Sequence, residues 1–87
     1  MDTLEAMRQM LDDAGTTPYE AAARLGKSRT YVSNLFVRGS IPSAERLAAI
    51  AGACGHRLAI VPVAADLPEG SIIIDPKPDS SGGVDQS

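Results

Sequence analysis

Apolar residues recur at helical spacing from the start of the chain: Leu4, Met7, Leu11 and Ala14 share one face, behind Asp2 and Glu5 and ahead of Gly15. The spacing predicts a first helix, opened by an Asp2–Glu5 capping box and closed by the glycine. A second pattern begins at Thr17, whose hydroxyl can cap a helix. Pro18 takes the first helical position, where a missing N–H costs nothing, and Glu20 stands where a capping box needs it. This helix is predicted from Pro18 to about Leu25, and Gly26 supplies the left-handed residue that ends it. Ser28 then restarts the chain as an N-cap, and a third helix is predicted from about Arg29 to about Phe36. Leu25, Val32 and Leu35 form the seam between these two helices, Ala22 is small enough to let them cross closely, and Phe36 joins the core. Arg29, Thr30, Ser33 and Asn34 are left pointing outward.

Val37-Arg38-Gly39-Ser40-Ile41-Pro42 has the composition of a turn, and Ser43 caps a fourth helix with Leu47, Ile50, Ala51 and Cys54 on one face before Gly55. The period then changes. Arg57 to Val63 is short, rich in β-branched residues and apolar on both faces, which predicts a covered strand, with Pro62 placing it at an end or an edge. Pro68-Glu69-Gly70 marks a turn, and Ser71 to Asp75 predicts a second strand. From Pro76 onward Pro, Ser, Gly and Asp dominate, the composition of a disordered tail. The expected fold is therefore mainly α: four or five helices over residues 1–56, a short C-terminal β-hairpin over 57–75, and an acidic tail over 76–87.

Composition narrows the class. A chain of 87 residues with one phenylalanine, two tyrosines and no tryptophan builds a modest core, so association is expected to add to its stability. The longest apolar run, Leu58 to Ala65, is too short to span a bilayer, and no basic segment precedes an apolar stretch at the start. A cytoplasmic protein without a membrane partner is expected. Cys54, the single cysteine, lies on the apolar stripe of the fourth helix and reads as core filler. His56, the single histidine, has no second ligand at metal spacing and reads as a helix-end residue, so no metal or other cofactor is expected. The net charge of -3 is unevenly spread. In residues 1–16, Asp2, Glu5, Asp12 and Asp13 against Arg8 leave -3; in residues 17–57, Arg24, Lys27, Arg29, Arg38, Arg46 and Arg57 against Glu20 and Glu45 leave +4. In residues 58–87, Asp66, Glu69, Asp75, Asp79 and Asp85 against Lys77 leave -4. The positive charge coincides with the second and third helices, where phosphates would be met.

Two capped helices around one glycine, the second with a polar outer face, make a helix-turn-helix signature. From Leu4 to about Leu58, and most closely from Thr17 to Gly39, the chain resembles the Cro/repressor-type (XRE-like) helix-turn-helix proteins. Ala22 and Gly26 match that family's small residue and turn glycine, and Leu25, Val32 and Leu35 match its buried seam. Lys27 stands where the family often has an apolar residue, and Val37-Arg38-Gly39 is longer than the usual exit from the recognition helix. The resemblance implies sequence-specific binding in the major groove of duplex DNA, usually as a repressor. In the small members it implies a C-terminal strand that pairs across a homodimer.

Side-chain chemistry distributes the candidate roles. The Arg29 fork can bond both major-groove acceptors of guanine, Thr30 can touch a thymine methyl or a phosphate, and Asn34 can pair bidentately with adenine. Ser33 stands beside them as a positioning residue. Lys27, Arg38 and the Thr17–Tyr19 helix start are candidates for phosphate, Ser28 is an N-cap first and a phosphate ligand second, and Tyr31 either contacts the backbone or packs. Arg24 and Arg46 read as solvated charges. A lone two-stranded hairpin would leave an unpaired edge and uncovered isoleucines, so Leu58, Ile60, Val61 and Ile73 are candidates for a dimer interface. The chain carries no Gly-rich phosphate loop, no nucleophile with a base in sequence context and no carboxylate pair on a rigid element, so an enzyme is not expected. The competing class is an antitoxin or inhibitor that keeps this scaffold and holds a toxin or other protein partner.

Overall fold

A computed structural model describes residues 1–76, which form four helices: α1 (Thr3–Asp13), α2 (Pro18–Arg24), α3 (Tyr31–Arg38) and α4 (Ala44–Ala53). The tail from 77 onward lies outside the described residues. α1 and α2 open with the capping boxes that the sequence predicts. Asp2 accepts from the Glu5 N–H at 2.8 Å while Glu5 accepts from the Asp2 N–H, and Thr17 and Glu20 repeat the exchange. Ser43 caps α4 by accepting from the Arg46 N–H.

α3 departs from the sequence-based expectation. It starts at Tyr31 rather than about Arg29 and runs to Arg38 rather than about Phe36. The Tyr31 N–H donates to the Ser28 carbonyl, closing a tight turn that keeps Arg29 and Thr30 out of the helix. The N-cap is therefore Thr30, not Ser28, and its side chain caps no N–H. At the other end nothing in Val37 or Arg38 opposes helix. The first residue that adopts the left-handed conformation cheaply is Gly39, at φ 65°, and the Ser40 N–H closes the end on the Leu35 carbonyl.

The core collects one face of each helix. Met7, Val32 and Ile50 are fully enclosed, with Met10, Leu11, Ala21, Ala22, Leu47, Ala51 and Cys54 around them. The expected seam forms: Ala22 and Val32 are buried, and Leu25, Leu35 and Phe36 pack against the core from its edge. Two arginines are spent on this packing. Arg8 of α1 lies over the Phe36 ring, 4.8 Å from its centroid, and Arg24 donates to the Ala53 carbonyl at 2.9 Å, satisfying the end of α4. Arg24, exposed as its sequence context implies, is thus also a strut between α2 and α4.

The C-terminal stretch corrects a second expectation. Among the described residues no strand forms: Arg57–Val63 and Ser71–Asp75 carry no ladder, so the single chain has no β-hairpin. The later part is held by other means. Ile72 packs against the core, the Asp75 N–H donates to the Met1 carbonyl, and the Asp75 carboxylate pairs with the Met1 amino group. The earlier part is left uncovered, with Ile60 and Val63 fully exposed. A strand needs a neighbour for its N–H and C=O groups, and one copy of this arm provides none. Between the arm and the α1–α4 face lies an apolar groove of about 1050 Å³, with Met10, Leu47, Leu67 and Ile72 in its walls. No helix among the described residues is long and apolar enough to cross a membrane.

Candidate nucleic-acid interface

Three pieces of chain meet around α3. Thr17 and Tyr19 come from the start of α2, Lys27, Ser28, Arg29 and Thr30 from the turn, and Tyr31, Ser33, Asn34 and Arg38 from α3 itself. Packing fixes this convergence. With Ala21, Ala22 and Val32 buried against the core, the opposite edges of α2 and α3 and the turn between them face outward. Tyr31 and Ser33 are half-buried and the other eight are exposed. The turn is rigid for its size. Gly26 adopts φ 70°, where a Cβ would meet nothing within 4 Å, so the backbone conformation and not crowding requires glycine there. The Lys27 N–H then reaches back to the Ala22 carbonyl at 3.0 Å.

The side chains are partly ordered by one another. Ser33 donates to the Thr30 carbonyl, and the Asn34 amide donates to the Thr30 hydroxyl at 3.4 Å. That contact leaves the Asn34 carbonyl oxygen and one amide hydrogen free. The Lys27 ammonium lies 5.7 Å from the Tyr31 ring centroid, and the Arg29 guanidinium 5.3 Å from that of Tyr19. Arg29, which the sequence pattern puts in the first turn of α3, stands just before it, with its guanidinium over a ring carried by α2. Spacing could have revealed the Lys27–Tyr31 pair. The Arg29–Tyr19 pair joins two elements and had no local signal.

Electrostatically the face is open. Among the described residues the sole ion pair joins Met1 and Asp75, so Lys27, Arg29 and Arg38 hold their charge without a carboxylate partner. Glu20, the acidic residue nearest to Lys27 and Arg29 in sequence, is occupied by its capping box and by the Thr16 hydroxyl. Because Thr30 provides no side-chain cap, the first N–H groups of α3 also lack a side-chain acceptor. Cationic side chains, a helix start without a side-chain cap and an amide with a carbonyl oxygen and an N–H free suit phosphate oxygens and base edges.

The dimer candidates lie apart from this face, on the C-terminal arm. Leu58, Ile60, Val61 and Ile73 are all exposed, Ile60 completely. His56 closes α4, its N–H donating to the Ala51 carbonyl and its Nδ1 lying 2.9 Å from the Cys54 carbonyl oxygen. Among known proteins, a family model described as helix-turn-helix matches residues 7–59. No curated protein and no solved structure matches the chain. The matched segment contains all three helix-to-helix connections, from most of α1 through α4 and into the arm. By its sequence match and its fold the chain belongs to the Cro/repressor-type helix-turn-helix family, whose members are DNA-binding transcription regulators.

Proposed function

We propose that this protein is a transcriptional repressor that binds a palindromic operator as a homodimer. One observation carries the reading. In a chain of net charge -3, Lys27, Arg29 and Arg38, which pair with no carboxylate among the described residues, border the exposed polar face of α3. In this reading residues 1–56 read DNA, residues 57–75 associate, and residues 76–87 form an acidic tail. Arg29, Thr30, Ser33 and Asn34 work at base edges. Thr17, Tyr19, Lys27, Ser28, Tyr31 and Arg38 position the protein on phosphates. Leu58, Ile60, Val61 and Ile73 join two subunits, so that two copies of α3 stand about 34 Å apart, one turn of duplex, and read inverted half-sites.

Selection of bound sequences from a random duplex library, followed by gel shift at several salt concentrations, tests this. The expected result is an enriched symmetric motif whose binding weakens steeply with salt, because each phosphate neutralised releases counterions. On that site Arg29→Ala should cost on the order of 1–3 kcal/mol and relax specificity at one position, while Arg38→Ala should weaken cognate and random duplex alike. Equal losses for Arg29→Ala on both duplexes would remove it from readout. Failure to bind any duplex at about 50 mM salt, where phosphate contacts are still strong, would favour an antitoxin or inhibitor that uses the scaffold to hold a protein.

A further inference from the structure

Arg29 is poorly placed to be orderly. It precedes α3, so helical backbone does not aim it; it is exposed; and a long side chain in that setting samples many rotamers. Among the described residues it meets no carboxylate and makes no side-chain hydrogen bond. One contact constrains it: its guanidinium carbon lies over the Tyr19 ring, 5.3 Å from the centroid. Tyr19 in turn sits in the first turn of α2, next to the reciprocal Thr17–Glu20 bonds that fix where that helix begins. The ring is therefore mounted on a helix, whereas the arginine precedes one.

We propose that Tyr19 is a positioning residue for Arg29: its ring holds the guanidinium at the mouth of the turn, and with it a share of the protein's sequence discrimination. The ring attracts the cation through its π face and consumes none of the guanidinium N–H donors, so the fork stays free to bond an acceptor pair such as O6 and N7 of guanine. A carboxylate in place of the ring would orient Arg29 equally well but would occupy that fork and cancel its charge. Holding the side chain before DNA arrives reduces the conformational freedom lost on binding. The proposal rests on the reading of Arg29 as a base-contacting residue.

The test uses the full chain, the duplex recovered by selection and a scrambled duplex of equal length. It compares wild type, Tyr19→Phe, Tyr19→Leu, Arg29→Ala and the Tyr19→Leu/Arg29→Ala double variant. Tyr19→Leu should lower the cognate-to-scrambled affinity ratio by about two- to fivefold, the size of an exposed cation–π contact. Tyr19→Phe, which keeps the ring and loses the hydroxyl, should retain the ratio, and the double variant should match Arg29→Ala alone. If Tyr19→Phe loses as much as Tyr19→Leu, the hydroxyl acts on its own and the proposal fails. It also fails if the loss persists in the Arg29→Ala background, or if Tyr19→Leu tightens binding, since the ring would then sequester the arginine. An Arg29→Ala chain with an unchanged ratio would defeat the underlying reading of Arg29 as well. A measurement without DNA separates the two: in free wild type the Arg29 side-chain protons should be shifted upfield by the ring current, and Tyr19→Leu should abolish the shift. Random-coil shifts for Arg29 in wild type would overturn the positioning role whatever the DNA results.

Discussion

The Cys54 thiol sits at the end of α4 with almost no exposure, beneath the arginine that spans α2 and α4. Burial pushes its pKa up, and the Arg24 charge pulls the other way without reversing the shift. The folded chain therefore holds the thiol proton more tightly than the unfolded chain. Stability from this source is complete below the unfolded thiol pKa and is lost as pH rises through the folded value. Because the thiolate is the nucleophile, iodoacetamide at neutral pH should leave Cys54 unmodified in the native protein and alkylate it in urea, in step with loss of helical circular dichroism. Rapid alkylation without unfolding would show that the site opens locally. Its place on the apolar stripe was legible in the sequence. Arg24 over the Ala53 carbonyl was not, because the two residues become neighbours only when α2 packs on α4.

At the scale of elements, the caps decide which helix starts are fixed by local chemistry. Thr17 accepts from the Glu20 N–H at 3.1 Å, whereas Thr30 caps nothing. Thr17→Ala should therefore lower stability by about 1 kcal/mol, and Thr30→Ala should leave the urea midpoint nearly unchanged, since no backbone N–H of the helix loses its partner and only the long, exposed bond from the Asn34 amide is lost. An equal loss for both would mean that Thr30 contributes through contacts other than capping. The same contrast explains where sequence patterns located boundaries well. Asp2, Thr17 and Ser43 carry the signal and the function together, so the starts of α1, α2 and α4 were legible. Ser28 carries the signal of a cap, but its carbonyl is taken by the Tyr31 N–H and the chain turns once more before α3 begins. That shift moves Arg29 out of the helix and makes its orientation depend on Tyr19.

For the whole molecule, the imbalance lies in the arm. Ile60 and Val63 are fully exposed and Leu58, Val61 and Ile73 partly so, while Ile72 packs against the core. An apolar surface of this kind on a small chain calls for cover, and pairing two arms would supply both a strand neighbour and burial. Ile60 makes the sharper test because it supports nothing in the single chain. Ile60→Asp should leave the thermal midpoint of the isolated subunit unchanged, convert a dimer to a monomer by light scattering, and weaken operator binding in gel shift. Wild type that stays monomeric at tens of micromolar, where an interface of ordinary affinity would be filled, would remove the dimer from the account. Truncation after Gly55 is less clean, because it also takes away Ile72 and the Asp75 contacts with Met1.

The sequence by itself determined the four helices, the turn at Gly26 and the buried seam of Ala22, Leu25, Val32 and Leu35, because capping, glycine conformation and helical periodicity act between residues a few positions apart. It also located the positive charge on the helix-turn-helix, since charge is additive and needs no fold to be counted. Tertiary structure decided what depends on meeting at a distance: Arg24 with Ala53, Arg8 with Phe36, Arg29 with Tyr19, and Asp75 with Met1. It also decided that the arm, strand-like in composition, forms no hairpin in one chain. β-structure is a property of a pair of segments, and the residues that favour a strand cannot make one without a partner in register.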